Sequence, residues 1–210
     1  MIVNQSDGNI VLIGMPGAGK STLGVVLAKI LNKQFLDADL VIQNLHGKTL
    51  QTLIDERGAE GFIALENDAL CGIEARNTGI ATGGSAVYSD EAMTHLARIG
   101  TVVYLKISYE SLVERLGDLD ERGVVFRGEA GNGLRGLYDE RCPLYEKYAD
   151  LTIGVDNLSI TAAAQAVRKI VRVGKHSEMD CSLLCVRNHK RQRRDKDCQR
   201  EQNCGKLCFV

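Results

Sequence analysis

A short glycine-rich segment, residues 14–21 (GMPGAGKS), constrains the fold more than any other part of this sequence. It follows an apolar run, residues 9–14 (NIVLIG), that has the composition of a short buried strand. The next residues, 20–31 (KSTLGVVLAKIL), carry apolar side chains at helical spacing. The segment fits G-x-x-x-x-G-K-[ST] in full, between a predicted strand and a predicted helix. This combination predicts a phosphate-binding loop.

The residue types of this loop suit a nucleoside triphosphate. Glycine lets a ligand approach the main chain, and we expect the N–H groups of residues 17–21 to surround the β-phosphate. Lys20 is expected to reach the β- and γ-phosphates, and Ser21 to offer its hydroxyl to Mg²⁺. The pattern does not distinguish a kinase from an ATPase or a switch, and a glycine-rich turn with an incidental lysine is the alternative. The predicted nucleotide-binding residues are Gly17, Ala18, Gly19, Lys20, Ser21 and Thr22.

Strands and helices alternate along the chain. The predicted strands are residues 9–14, 33–39, 78–84, 101–107 and 150–155. The predicted helices are residues 20–31, 40–47, 49–75 with breaks near Gly47 and Gly58, 89–100, 108–117, 137–149 and 159–173. This order predicts an α/β fold with a central parallel sheet covered on both faces, in three layers.

Two carboxylates, Asp37 and Asp39, end the second predicted strand (FLDAD). Residues i and i+2 of a strand point to the same side, so both would face one site. One carboxylate can hold water around Mg²⁺, and the other can accept a proton from an attacking hydroxyl. A solvated turn, or a helix capped by Asp39, is the alternative. Because ligands bind beyond the carboxyl ends of parallel strands, we expect the loop, this pair and Gly83–Gly84 to share one crevice.

Composition excludes several classes of protein. The 210 residues have a net charge of −1, so no overall field favours nucleic acid or an anionic membrane. No apolar run approaches the ~20 residues of a membrane span, and the N-terminus has no basic region followed by an apolar stretch. Seven cysteines, an odd number, do not favour a secreted disulfide framework. We expect a cytoplasmic monomer without a membrane or nucleic-acid partner.

Several segments together resemble the shikimate kinase family of small P-loop kinases. The resemblance runs from about residue 9 to residue 172, and implies transfer of the ATP γ-phosphate to a hydroxyl of a small acid, shikimate first. It also implies a mobile lid at about 117–133. Besides the phosphate loop and FLDAD, the segments are GAEGFIALE (58–66), IATGGSAV (80–87), GTVVYLKIS (100–108) and ERCPLYEKYADLTI (140–153).

The resemblance implies roles on the acceptor side of the site. Asp37 would position Mg²⁺ through water, and Asp39 would bind the acceptor hydroxyls and favour their attack. Gly83 and Gly84 would let backbone N–H groups approach the acceptor. Arg141 would grip the carboxylate of the acceptor.

The resemblance also implies roles on the nucleotide side. Arg115 would stack on adenine, and Arg122, in the lid, would close over the γ-phosphate. Lys20, Asp39 and Arg122 are thus the expected catalytic residues. A guanidinium that a lid brings in supplies charge and excludes water, whose attack would waste ATP.

Three departures from the family pattern concern the acceptor or the lid. Ile63 stands where the family has an arginine that pairs with the acceptor carboxylate, and Ser85 replaces the third glycine of a triplet. Residues 122–125 are RGVV where the family usually has RPLL. Two alternatives therefore remain. The chain could be a kinase for another small hydroxy acid or hydroxy amino acid, or a nucleotide-binding regulator without transfer activity.

The sequence divides into a kinase domain, residues 1–173, and a basic tail, residues 174–210. The tail has nine Lys and Arg residues and five of the seven cysteines, without apolar periodicity, and we expect it to be disordered. The alternatives are that the tail binds zinc, or that it contacts nucleic acid and the chain is an NTPase that acts through this contact.

Overall fold

A computed structural model describes residues 8–116 and 133–173 of the chain. The predicted lid, except Gly133, lies outside the described residues, and so does Arg122. The tail, residues 174–210, also lies outside them.

Five parallel strands form the central sheet of the described residues, in the order β2-β3-β1-β4-β5. The α/β prediction with a parallel central sheet is confirmed. The strands are β1 (Asn9–Ile13), β2 (Gln34–Asp37), β3 (Thr78–Ala81), β4 (Gly100–Lys106) and β5 (Leu151–Gly154).

Strand β1 lies in the middle of the sheet because its apolar sequence tolerates burial on both faces. It pairs with β3, where Ile10 is opposite Gly79, and with β4, where Ile10 is opposite Thr101. Every residue of β1 and β3 is buried. Burial on both faces is what a parallel sheet covered by helices requires.

Seven α-helices connect and cover the strands in the described residues. Helix α1 packs against α7 and against β1, β2 and β3, whereas α4 and α6 contact β4. None of these helices has both the length and the apolar character needed to cross a membrane. The helices are α1 (Lys20–Leu31), α2 (Ala38–His46), α3 (Leu50–Cys71), α4 (Asp90–Ile99), α5 (Tyr109–Leu116), α6 (Gly133–Tyr148) and α7 (Ile160–Val173).

Local side chains and glycines set the ends of several helices. Ser89 Oγ accepts the N–H of Ala92 at 3.2 Å and caps α4. Helix α2 ends at Gly47, and Gly58 kinks α3 with φ 68° and ψ 178° instead of ending it. The sequence-based breaks near both glycines are therefore confirmed, the second as a kink.

The carboxyl ends of β2 and β3 differ from the sequence-based prediction. Strand β2 ends at Asp37 instead of residue 39, because Asp37 caps α2 and places Asp39 in its first turn. The expectation that Asp37 and Asp39 share one side of a strand is therefore wrong. Strand β3 ends at Ala81, so Gly83 and Gly84 follow it in a loop.

Candidate active site

A cavity of about 360 Å³ lies beyond the carboxyl ends of β1 and β3, at the edge of the sheet where parallel α/β proteins bind ligands. It joins the phosphate loop to α2, α3, the loop after β3 and α6. Its lining residues are Pro16, Gly17, Gly19, Lys20, Ser21, Thr22, Asp39, Leu50, Phe62, Thr82, Gly83, Gly84, Ser85 and Arg141.

The phosphate loop ends where α1 begins. Gly19 has φ 91°, a left-handed conformation that favours glycine, and α1 starts at the next residue, Lys20. The first N–H groups of a helix have no acceptor within that helix, and the start of α1 lines the cavity. The N–H of Ala18 instead donates to the carbonyl of Met15 at 3.1 Å, so it belongs to the turn of the loop itself.

Lys20 is 8% exposed and is folded back onto the loop. Its Nζ donates hydrogen bonds to the carbonyl oxygens of Gly14 at 2.7 Å and Met15 at 3.0 Å. Burial lowers the pKa of Lys20 to about 8, with a smaller contribution from Arg141, whereas Asp39 opposes the shift. The ammonium therefore keeps most of its charge at pH 7, close to where a phosphate would bind.

The two carboxylates at the start of α2 have different surroundings. Asp37 Oδ1 accepts the backbone N–H of Asp39 at 3.0 Å, as an N-cap residue does. Asp39 lines the cavity, where burial raises its pKa and nearby Lys20 opposes that shift. Asp37 adds a smaller increase to the pKa of Asp39. The structure thus brings Asp39, rather than the pair, to the cavity wall.

Arg141 is on α6, lines the cavity and is 1% exposed. Its Nε donates to the hydroxyl of Tyr88 at 3.1 Å, and its guanidinium lies 5.0 Å from the centre of that ring. A Cβ added at Gly84 would lie 2.9 Å from Arg141 Nη1. A buried guanidinium beside the backbone of a glycine is suited to binding a carboxylate, because it can donate two parallel N–H groups to the two oxygens.

Glu66, which has no assigned role in the sequence-based prediction, is a buried acid next to the cavity. It is 1% exposed on α3, and a Cβ added at Gly83 would collide with its Oε1 and lie 2.9 Å from Asp39 Oδ1. Burial raises the pKa of Glu66 to about 7. The buried face of α3 contains Phe62, Glu66 and Leu70, which are four residues apart. An acidic residue within this apolar stripe is the sequence signal that could have identified Glu66.

Three of the residues assigned from sequence do not line the cavity within the described ranges. Ala18 belongs to the turn of the phosphate loop. Asp37 is occupied in capping α2. Arg115, on α5, donates from Nη2 to the carbonyls of Val155 at 2.8 Å and Asp156 at 3.1 Å. These bonds connect α5 to the loop that follows β5.

The cavity contains no dense set of metal ligands. Across residues 8–116 and 133–173, no group of three or more His, Cys, Asp or Glu side chains is placed to hold a metal ion. A cation that uses phosphate oxygens, water and one or two protein oxygens does not need such a group.

Two kinds of sequence comparison agree with this geometry. The family model described as "Shikimate kinase" matches residues 16–173. A shikimate kinase of Legionella pneumophila is 38% identical over 162 residues, which are 77% of this chain and 93% of the relative. A shikimate kinase of Vibrio parahaemolyticus is 35% identical over 164 residues, 78% of this chain and 95% of the relative.

Solved structures show the same likeness. A shikimate kinase from Acinetobacter baumannii in complex with shikimate has a TM-score of 0.73 and 30% identity, covering 81% of this chain and 96% of that one. A shikimate kinase from Aquifex aeolicus has a TM-score of 0.69 and 28% identity, covering 81% and 99%. The phosphate loop, the parallel sheet and these matches together place the chain in the shikimate kinase family of ATP-dependent small-molecule kinases.

Proposed function

We propose that this chain transfers the γ-phosphate of ATP to a hydroxyl of shikimate. The observation that carries the proposal is that Lys20, Asp39 and Arg141 line one cavity, although they come from three distant segments. Such a cavity can hold a triphosphate at one end and a hydroxylated acid at the other. The Acinetobacter baumannii relative, which has shikimate bound, supports the choice of acceptor.

The acceptor is held by groups on the side of the cavity away from α1. Arg141 binds the carboxylate through its fork of N–H groups. Gly83 and Gly84 leave room for the ring against the main chain. Asp39 accepts a hydrogen bond from the attacking hydroxyl and takes its proton as the bond to phosphorus forms. These contacts align the hydroxyl with the γ-phosphate, and positioning is the main requirement of phosphoryl transfer.

The nucleotide is held by the phosphate loop and the first turn of α1. The residues involved are Gly17, Ala18, Gly19, Lys20, Ser21 and Thr22, of which Ala18 stabilises the turn and the others line the cavity. When ATP binds, Lys20 exchanges its contacts with the Gly14 and Met15 carbonyls for phosphate oxygens. Its charge then offsets the charge that accumulates during transfer.

Mg²⁺ is part of the proposal. The residues present fit a hard cation, because Ser21 brings a hydroxyl to the cavity and the capping bond of Asp37 uses only its Oδ1, so that its second carboxylate oxygen could contact a water molecule. Ser21 would bind the ion directly and Asp37 through water, since Mg²⁺ prefers oxygen ligands and retains several waters. The ion supplies charge neutralisation for the phosphates.

The remaining expectations stay predictions. Arg115 contacts adenine, and Arg122 closes over the γ-phosphate as part of a lid at 117–133. The kinase domain comprises residues 1–173, and the tail, residues 174–210, has no part in catalysis. The protein acts as a cytoplasmic monomer without a membrane or nucleic-acid partner.

One residue favours a second candidate, a kinase for another small hydroxy acid. Ile63 contributes an apolar side chain to a small cluster with Ile42, Leu53 and Phe62, and Phe62 lines the cavity. An isoleucine cannot form a charged contact with a carboxylate, so Arg141 alone would have to supply the fork of N–H bonds.

The test is ADP release coupled to a spectroscopic assay, over a panel of shikimate and other small hydroxy acids and hydroxy amino acids. We expect shikimate to stimulate turnover more than any other acceptor. Stronger stimulation by another hydroxy acid would select the second candidate. ATP binding without stimulation by any acceptor would instead indicate a nucleotide-binding regulator.

A further inference from the structure

Glu66 is a buried carboxyl group that the proposed transfer does not use. Among the described residues, no hydrogen bond of regular geometry reaches either of its carboxylate oxygens. Its Oε1 lies against Gly83, which lines the cavity, so only one glycine separates it from the space where the acceptor would bind. A buried charge without such contacts is costly, and a carboxyl group in this position avoids the cost by holding a proton.

The groups that face Glu66 come from four other elements. The neighbouring Ser85 hydroxyl favours its ionised form most, followed by Arg141 on α6 and Lys20 on α1. Asp39 on α2 disfavours ionisation, and Tyr145 on α6 also lies within electrostatic range. Burial outweighs the Ser85 hydroxyl and the two cations, and it raises the pKa of Glu66 to about 7. Near neutral pH, Glu66 is therefore divided between its two forms before any ligand binds.

Ligand binding changes this charge balance in one direction. ATP phosphates engage Lys20, which is then no longer available to offset a carboxylate. An anionic acceptor adds a third carboxylate to Asp39 and Glu66, and it shares the cation Arg141 with Glu66, whereas Asp39 faces Lys20. One helical turn before Glu66, α3 carries the apolar Ile63. Like charges this close disfavour simultaneous ionisation, so one acid must take up a proton.

We propose that Glu66 is a positioning residue that takes up a proton from solvent when the acceptor binds, so that Arg141 can engage the acceptor carboxylate. The inference rests on the proposed function, because it assumes an anionic acceptor. The proton goes from buffer to a carboxylate oxygen of Glu66, and no other bond changes. The neutral acid leaves Arg141 with a single anion to bind.

The linkage has a definite sign. Below about pH 7, free Glu66 already holds the proton, so acceptor affinity is highest there and uptake is small. Above that pH, each bound acceptor must bring one proton, and its dissociation constant rises by up to tenfold per pH unit.

The experiment is isothermal titration calorimetry of shikimate into the full-length protein with MgADP bound, at pH 8. Two buffers that differ in ionisation enthalpy give the number of protons taken up. The phosphate oxygens of MgADP should favour the charged form of Lys20, whose pKa is about 8 in the free protein, and the missing γ-phosphate prevents turnover. We expect the wild type to take up more than about half a proton per shikimate, and Glu66→Gln to take up about none. From pH 7 to 8.5, shikimate should bind the wild type about tenfold more weakly and Glu66→Gln equally well.

Two further comparisons separate the electrostatic effect from altered packing. Ile63→Arg places a permanent charge one turn from Glu66 and should abolish proton uptake, whereas Ile63→Met, which stays apolar, should keep it. Glu74→Gln makes the same chemical change at an exposed site and should behave as the wild type. If Glu66→Gln does not fold, the Ile63 pair provides the test.

The outcomes distinguish this inference from the proposed function. Shikimate binding without proton uptake, or uptake that persists in Glu66→Gln, overturns the role of Glu66 and leaves shikimate as the acceptor. Failure of shikimate to bind overturns the acceptor and the inference together.

Discussion

Asp37 Oδ1 accepts a hydrogen bond from the backbone N–H of Asp39 at 3.0 Å. This contact gives the two carboxylates different functions, although two positions separate them in sequence. Asp37 fixes the start of α2, and the first turn of that helix then presents Asp39 to the cavity.

Asp39→Asn should lower kcat by about 10²–10⁴, because an amide cannot accept the proton of the attacking hydroxyl. The asparagine side chain has nearly the same shape as aspartate, so the free energy of unfolding should change little. Steady-state kinetics with saturating shikimate and a denaturant titration measure the two quantities. Asp55→Asn, at an exposed position on α3, is the matched control. Unchanged kcat in Asp39→Asn would remove Asp39 from the chemistry.

Arg141→Ala should weaken shikimate binding by about 2–5 kcal/mol, the usual cost of truncating one partner of a buried charge pair. Arg141→Lys keeps the charge but loses the fork of N–H groups, so it should have a smaller effect in the same direction. Calorimetry gives both affinities. Arg135→Ala removes an exposed arginine from the same helix, where it pairs with Asp139, and should leave shikimate binding unchanged. Equal effects at positions 135 and 141 would contradict the assigned contact.

Gly83→Ala should impair shikimate binding more than ATP binding. The added Cβ would collide with Glu66 Oε1 and lie 2.9 Å from Asp39 Oδ1, so the acceptor side of the cavity must shift. At Gly79, in the preceding strand, the nearest atom to an added Cβ is 3.7 Å away. Gly79→Ala is therefore the control. Separate titrations with an ATP analogue and with shikimate measure the effect, and similar losses for both ligands would count against it.

Asp156 should make the stability of the fold depend on pH. Its Oδ1 accepts the Ser108 N–H at 2.7 Å and the Ser108 hydroxyl at 2.8 Å, and these bonds outweigh partial burial and lower its pKa below 3.8. A lowered folded-state pKa stabilises the fold above the unfolded value and loses this contribution as the pH falls through the folded value. The free energy of unfolding of the wild type should therefore exceed that of Asp156→Asn at pH 6.

Urea titrations at several pH values measure this difference. It should shrink as the pH falls below about 4, because Asp156 takes up a proton first in the unfolded chain and then, at its lower pKa, in the folded protein. A difference that stays constant down to pH 3 would show that Asp156 acts through packing alone.

The local patterns of this sequence predict its fold well, because each strand and helix has its own periodic signal. The apolar run at residues 9–14 and the glycine loop after it place β1 and α1. The end of β2 is harder to predict from sequence, because residues 37–39 are compatible both with a strand and with the start of a helix. Only the hydrogen bond from the Asp39 N–H to Asp37 decides between them. The sequence pattern also misplaces the end of β3.

The site was partly predictable for a similar reason. Lys20 belongs to a motif whose chemistry depends on residues adjacent in sequence. Glu66 and Arg141 are 75 positions apart. What makes Glu66 unusual is burial without a hydrogen bond of regular geometry, which depends on the loop after β3 and on α6. Sequence gives the residue types of such a cluster, whereas the fold determines their charges.

The most direct test of the central claim follows the γ-phosphate itself. The protein is incubated with MgATP and shikimate, and ³¹P NMR records where the phosphate goes. We predict a shikimate phosphate ester that forms in equal amount to ADP with the wild type and is absent with Lys20→Ala, whereas Lys29→Ala, at an exposed position on the same helix, forms it normally. ADP that appears with inorganic phosphate alone, and without the ester, would contradict the claim.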